Sequence, residues 1–317
     1  MFVNYLILVH KSPNQFKQLV NALDAPWVRF YVHIDKKQNI IEFKNSVKDN
    51  QRVQFVCDES RIDGSWGDLS LVEAALSCMR LMLSCGTEGH SVLMSGQDYP
   101  LRKASYIRDF FETHKDGNYM SVYPIPDPKK SSEGGGMERL ISYTFDCKNQ
   151  KNLRMKAKIQ PLSLRLKTFV GFIRLLRYRR DLIKFAIEAY FKKRVYPKRL
   201  AKHFNEFWCA LNWESVEYLV GEYDSRPELK EYYKYTHIPD ETLFSSVLMM
   251  KPEFEKTLHP MCHYIDWSGS NDGSPKTIGM ADLPKIYENL ANNDYVMFAR
   301  KFAENTDVLE KIDLMIK

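Results

Sequence analysis

The sequence predicts an α/β protein of Rossmann type, with strands and helices packed as a doubly wound sheet. Three observations predict it. Strand-like and helix-like patterns alternate through the first hundred residues. Small and polar clusters, His33-Ile34-Asp35 and Ser95-Gly96-Gln97-Asp98, fall where strand-like runs end. A chain of 317 residues with 44% hydrophobic and 27% charged side chains can also bury a full core.

Val3 to Val9 is a short apolar run that ends at a Ser12-Pro13 turn, and Phe16, Leu19, Val20 and Leu23 follow at helical spacing. Val28 to Ile34 reads as the next strand, Val53 to Val56 as a third, Leu69 to Leu83 as an amphipathic helix and Ser91 to Met94 as a buried strand. Strands separated by helices imply a parallel sheet, in which ligands bind beyond the carboxyl ends. After Tyr119 to Val122 come Pro124, Pro126, Pro128 and Gly134-Gly135-Gly136, a loop pattern. A basic segment reads as two amphipathic helices. The α/β pattern then returns: strands at Phe207 to Leu211 and His263 to Trp267, helices at Glu214 to Glu222, Thr242 to Met250 and Asp282 to Leu290. The expected organisation is one domain, 1–317, with a first half at 1–125, a basic helical insertion at 148–202 and a second half at 203–317.

Charge is unevenly spread. Residues 151–200 hold sixteen Lys or Arg against Asp181 and Glu188, a net of +14 that leaves −8 for the rest of a chain whose total is +6. A basic element on an acidic body points to an anionic partner surface, and Phe169, Phe172, Ile173 and Leu176 offer an apolar face among the charges. Membrane phospholipid and nucleic acid both carry that chemistry. No recognisable nucleic-acid motif is present, so the expected partner is a membrane surface touched through 151–199, with no nucleic acid. The apolar run Tyr5–Val9 is too short for a signal peptide, which gives the expectation of a cytoplasmic protein, soluble or peripheral on the membrane. The six cysteines are scattered singly, without C-x-x-C, as reduced core thiols would be.

Several motifs are missing. Without G-x-x-x-x-G-K-[ST] or G-x-G-x-x-G, P-loop and dinucleotide chemistry are disfavoured. There is also no Asp-x-Asp. A sugar-nucleotide transferase must neutralise a departing diphosphate, and without paired carboxylates to hold a divalent cation the positive charge has to come from Lys or Arg. Lys276 and the Phe298-Ala299-Arg300-Lys301-Phe302 block supply such charges, although surface lysine is the plainer reading of each alone.

Five segments in order, Tyr31–Asp35, Ser95–Leu101, Pro239-Asp240-Glu241, Tyr264–Trp267 and Phe298–Phe302, resemble the core-2/I-branching N-acetylglucosaminyltransferase family, which includes peptide O-xylosyltransferases. The resemblance spans nearly the whole chain. It implies a GT-A-like mixed sheet flanked by helices and an inverting transfer of GlcNAc, or next xylose, from a UDP-sugar donor to a glycan or protein acceptor. It also implies no divalent metal and no other cofactor. Glu241 matches the family's general base; the local sequence fits a helix start with Asp240 as N-cap, where a carboxylate is held ionised, or a residue that merely supports that start. Lys301, with Lys276 and Arg300, matches the diphosphate-binding cations. His33 and Asp35 stand near the nucleoside, and Asp98 on the sugar side. Helix capping for Asp35 and a turn role for Asp98 stay open. Arg139, Asp240 and Trp267 match acceptor-side positions, with Trp208 or Trp66 as other aromatic platforms. A nucleic-acid-binding protein and an inactive glycan-binding relative are the competing readings.

Overall fold

The computed structural model describes residues 1–129, 134–145, 153–155, 162–192, 194–268, 274–304 and 307–316. The described strands begin β1 (Phe2–Val9), β2 (Val28–Ile34), β3 (Val53–Phe55), β4 (Gly89–Ser95), β5 (Tyr99–Pro100), β6 (Asn118–Tyr119) and β7 (Val122–Pro124). They continue as β8 (Tyr143–Phe145), β9 (Leu153–Met155), β10 (His203–Asn205), β11 (Ala210–Leu211), β12 (Leu258–His259), β13 (His263–Ile265) and β14 (Phe298–Arg300).

Seven strands form the central sheet in the order β12-β6-β11-β4-β1-β2-β3. β1 lies in its middle, parallel to β2 from Val3↔Val28 to Val9↔Ile34 and parallel to β4 from Phe2↔Gly89 to Leu8↔Ser95. Alternation alone predicted a wholly parallel sheet, but β11 runs antiparallel to both β4 and β6. The sheet is therefore mixed. A parallel entry needs a crossover that returns the chain to the same end. The chain between β6 and β11 instead passes through β7, β8, the basic helices and β10, and re-enters from the opposite end.

β1 is buried on both faces, and the period of two divides its side chains between two cores. Val3, Tyr5, Ile7 and Val9 pack with Phe16, Leu19, Val20 and Leu23 of helix Pro13–Leu23 and with Ile286, Leu290, Val308, Leu309 and Ile312 of the two last helices. Leu6 and Leu8 face the other way, onto Val72, Ala75, Leu76 and Met79 of helix Ser70–Cys85 and onto helices Trp213–Ser225 and Leu243–Leu248. Helix Pro13–Leu23 starts where Ser12 accepts a hydrogen bond from the Gln15 N–H (3.1 Å), with Pro13 in its first turn. Helix Ser70–Cys85 stops at Gly86, whose φ of 64° is left-handed.

A smaller sheet, β13-β14-β5, brings Arg300 level with Ile265 and Ala299 level with Tyr99. The expected strands at Phe207–Leu211 and His263–Trp267 shorten to Ala210–Leu211 and His263–Ile265. Tyr119 and Val122 fall in two different sheets.

In the basic segment, helices Leu162–Tyr178 and Ile183–Phe191 meet through a 3-10 turn, Arg180–Leu182. Their inner faces bury Leu175, Ala186 and Ala189 against Phe145, and Phe185 stacks on Tyr235 at 4.6 Å. The core-thiol expectation holds for Cys78, Cys209 and Cys262, whereas Cys57 and Cys85 are exposed, and Cys147 lies outside the described residues. Cys57 stands in a surface turn and Cys85 ends an amphipathic helix, so neither points into a core.

Gly89 opens β4 with φ +156°, and a Cβ there would stand 1.9 Å from the Phe2 carbonyl oxygen. Gly89→Ala should cost more than about 2 kcal/mol, because backbone at the first β1–β4 pair must shift. Gly221, in helix Trp213–Ser225, has open space around it. Gly221→Ala should stabilise by roughly 0.5–1 kcal/mol. Urea titration of both variants checks the pair, and equal effects would count against this strand register.

Candidate active site

The order β3-β2-β1-β4 places a topological switch between β1 and β4, where a crevice forms beyond the carboxyl ends. His10 follows β1, Asp35 follows β2, and Gly96-Gln97 follows β4. The end of β14 crosses the same place. The Phe302 N–H donates to the Gln97 carbonyl (2.9 Å), and Gln15 Nε2 donates to the Phe302 carbonyl (3.0 Å). Lys301 is thereby fixed at the switch point by its backbone. Loss of hydration first, and then Lys11, Arg300 and Lys301, hold the His10 imidazole below its ordinary pKa, while Asp35 pulls it up. All four charged side chains therefore lie within electrostatic reach of His10.

Asp35 is built into this corner. Its Oδ1 accepts from the Lys37 N–H (2.8 Å) and its Oδ2 from the Gly64 N–H (3.1 Å). A Cβ on residue 64 would stand 2.7 Å from Oδ2, so glycine is what allows the approach. His33 takes a structural part: its Nε2 accepts from the Ile62 N–H (2.8 Å), and burial lowers its pKa to about 4. The His33–Ile62 and Asp35–Gly64 bonds together hold the 61–67 loop against the end of β2.

Behind Lys301 lies a buried polar cluster. Asp98 is fully buried; its Oδ2 accepts from the Ser95 N–H (2.8 Å) and stands 3.6 Å from His263 Nε2. Its Oδ1 is 3.5 Å from Arg300 Nη1 without hydrogen-bond geometry, so Asp98 Oδ1 and Arg300 Nε and Nη1 are buried with no hydrogen-bond partner. Burial raises Asp98 to about 6 against the pull of Arg300, and lowers His263 to about 3, so the imidazole is neutral. The Arg300 guanidinium stacks on the Trp208 ring at 4.2 Å.

Trp208 leads to the second half of the site. Three residues earlier, Asn205 Nδ2 donates to the Asp240 carbonyl (2.9 Å), and Asn205 Oδ1 accepts from the Ser245 N–H (3.2 Å). These bonds hold the turn that carries Glu241. The turn differs from the expected helix start. Ile238 is left-handed (φ 50°), Pro239–Glu241 form a 3-10 turn, and the helix begins only at Leu243. Asp240 is not an N-cap: Thr242, at φ −142°, takes that position without a side-chain capping bond. Glu241 instead pairs with Arg139, whose Nη1 donates to Glu241 Oε2 and whose guanidinium lies 5.1 Å above the Phe204 ring. Asp240 is buried, with Oδ1 lacking a partner; desolvation, and next the Glu241 charge, push its pKa up to about 7.

The Asp35 corner and the Glu241 turn also meet through the 61–67 loop, where the Gly67 carbonyl accepts from the Ile238 N–H (3.0 Å) and the Trp66 and His237 rings pack at 83°. Lys276 and Trp267 lie along the edge of β14, where the Lys276 N–H donates to the Asp266 carbonyl (2.8 Å) and the Ile278 N–H to the Lys301 carbonyl (2.8 Å). The Lys276 ammonium is held by Asp282 (2.5 Å) and would have to leave that pair to bind phosphate, and Trp267 is about half exposed beside Asp266. Sequence reasoning missed His10, His263, Gly64 and the pairing of Arg139 with Glu241. Only His10, directly after an apolar strand, carried a readable signal. Among the described residues, no group of three or more His, Cys, Asp or Glu side chains is arranged to hold a metal ion.

A model of the family described as Core-2/I-Branching enzyme matches residues 3–168 and 169–291. Xylosyltransferase 2 of Rattus norvegicus is 24% identical over 340 residues, covering 98% of this chain and 33% of its own length. Xylosyltransferase 1 of the same organism is 22% identical over 338 residues (98% and 35%), and that of Homo sapiens 21% over 333 (98% and 30%). The chain thus spans about a third of the length of these relatives.

Asp240 makes a pH prediction. Its pKa in the folded protein is raised from 3.8 to about 7, so the stability tied to its protonated form is complete below 3.8 and is lost as pH rises through about 7. Asn does not titrate. The melting temperature of Asp240→Asn minus that of the parent should therefore climb across this window and level off above it. A difference that stays flat, or falls with rising pH, would remove the case for a protonated Asp240.

Proposed function

This chain belongs to the Core-2/I-Branching enzyme family, and from that premise we propose that it is an inverting, metal-independent glycosyltransferase. It moves GlcNAc or xylose from a UDP-sugar to a hydroxyl of a glycan or protein acceptor. The family resemblance puts GlcNAc first and xylose next; the names of the relatives bring xylose beside it. One observation carries the reading: the short Asn205–Trp208 segment grips the Glu241 turn at one end and stacks on Arg300 at the other. A base and a cationic corner are thereby held on one rigid support.

In this mechanism Glu241 accepts the proton of the acceptor hydroxyl while that oxygen attacks the anomeric carbon. With Oε2 held by Arg139, the proton goes to Oε1. The bond from the anomeric carbon to the β-phosphate oxygen breaks as the new glycosidic bond forms on the opposite face, and UDP leaves with the electron pair. Lys301, backed by Arg300, neutralises the charge that grows on the diphosphate, work that a metal ion does where paired carboxylates are present. Asp35, with its oxygens already receiving backbone N–H groups, offers its remaining lone pairs to the nucleoside. Asp98 backs the sugar side from within the core, where its Oδ1 is ion-paired with Arg300 (3.5 Å). Arg139 orients the base, and Asp240 and Trp267 complete the acceptor side.

The reading is tested by UDP release from a panel of UDP-sugars in excess EDTA, with turnover expected to match that in manganese. Loss on chelation, restored by metal, would overturn the cationic clamp. Glu241→Gln should lower turnover by roughly 10²–10⁴ and leave UDP affinity unchanged. Lys301→Ala should weaken UDP binding by about 1.5–3 kcal/mol, measured calorimetrically. A protein that binds glycan but turns over no UDP-sugar is the inactive relative; one stabilised by polyanions and not by UDP is the nucleic-acid binder.

A further inference from the structure

The two helices of the basic segment have apolar residues on their outer sides as well as their inner ones. Along Leu162–Tyr178 the inward positions are Thr168, Gly171, Phe172 and Leu175. Phe169, Val170, Ile173 and Leu176 point outward and are 63%, 45%, 50% and 50% exposed. They recur at helical spacing, so they form one stripe. The second helix repeats the pattern, with Ala186 and Ala189 inside and Ile187 and Phe191 outside at 49% and 61% exposure. A ring contact between Phe172 and Tyr190, 6.3 Å between centroids, ties the helices together. Six large apolar side chains on one small hairpin exceed the scattered exposure ordinary for a soluble surface.

The residues beside the stripe decide what covers it. Arg177 and Lys184 are exposed on the same two helices, Arg180 in the turn between them and Lys192 just after the second, within a segment of net +14 on a body of −8. An apolar protein partner would match the stripe but not this charge, and a polyanion such as nucleic acid would match the charge but leave the stripe in water. An anionic bilayer matches both, because acyl chains receive the apolar residues while lipid phosphates meet the cations at the headgroup level. Among the described residues no helix is long and apolar enough to cross a membrane, so the contact is one of lying on the surface.

We propose that the helical hairpin 168–192 docks the protein on an anionic phospholipid surface. The hairpin is coupled to the candidate site. Just after it, buried Arg194 donates to the Ser142 carbonyl (2.5 Å) and to Thr236 Oγ1 (2.8 Å). Ser142 follows the short helix Met137–Ile141 that carries Arg139, the partner of Glu241. The end of the hairpin is thereby anchored beside the element that carries the partner of Glu241. On the transferase reading, on which this extension rests, the acceptor is a glycan or protein tethered to that membrane.

Flotation of the full chain with vesicles tests the docking. The protein should float with vesicles of equal parts phosphatidylglycerol and phosphatidylcholine at low salt, should not float with phosphatidylcholine alone, and should be released by salt. Arg177→Glu/Arg180→Glu/Lys184→Glu should lower partitioning at least a hundredfold, at roughly fivefold per lost basic residue. Phe169→Ser/Ile173→Ser/Leu176→Ser should abolish the binding that survives moderate salt. Both variants change exposed side chains, and an unchanged circular dichroism melt shows that they fold. Failure of the parent to float, equal binding to neutral vesicles, or a dimer on gel filtration that the serine variant breaks without any flotation would each overturn the proposal. UDP release with a soluble acceptor separates the two readings: if the parent floats but never transfers sugar, docking stands and the transferase reading falls.

Discussion

The parallel pairing of β1 with β2 on one edge and β4 on the other constrains everything else in the molecule. Because β1 is buried on both faces, its side chains must divide between two cores, and helices have to cover both sides of the sheet. A buried polar link reinforces the arrangement. Asn4 of β1 exchanges hydrogen bonds with Thr87 (2.7 and 2.9 Å), whose hydroxyl also meets Tyr31 of β2 (2.8 Å). Within the sheet such groups are tolerated only when satisfied, and a satisfied set selects one register. With the register fixed, His10, Asp35 and Gly96 arrive at the same end of the sheet, and the crevice follows from topology.

The candidate site departs from this economy of satisfied groups. Asp98, His263 and Arg300 are packed together with several polar atoms lacking hydrogen bonds, and Asp240 is buried beside Glu241. Such burial costs stability unless something offsets it. Buried polar groups left without hydrogen bonds next to a crevice mark a candidate site. The segment Asn205–Trp208 gives the arrangement rigidity. It joins the Glu241 turn to Arg300 by a hydrogen bond at one end and a stacked ring at the other, so the two are tied to one short segment.

The basic hairpin shows how an insertion is accommodated without disturbing the sheet. It leaves from β8 and β9 and packs on its own aromatic cluster of Phe145, Phe185 and Tyr235, separate from the two central cores. Arg194 then closes it with hydrogen bonds to backbone carbonyls and with its guanidinium 3.9 Å above the Tyr232 ring. A buried arginine satisfied in this way fixes the hairpin next to Arg139 while its outer surface stays available.

Local pattern and the resemblance made much of this legible. The apolar run of β1, the spacing of Phe16, Leu19 and Leu23, and the Ser12-Pro13 start are properties of neighbouring residues, and they specify strand and helix wherever the chain goes. The ordered segments around Asp35, Asp98, Glu241 and Lys301 named the candidate residues in the same one-dimensional way. What stayed hidden depends on partners far apart in sequence. The reversed direction of β11 follows from the detour that precedes it, the capping role expected of Asp240 gave way to burial, and Arg139 reaches Glu241 across 102 positions. Burial raises the pKa of both Asp98 and Asp240, against the distant Arg300 for the first and together with the neighbouring Glu241 for the second, and burial is not a property of the residues adjacent to them. Sequence determined the elements and the inventory of chemistry, whereas tertiary packing decided which groups lose water and which meet, because hydration and electrostatic distance exist only once the chain has folded.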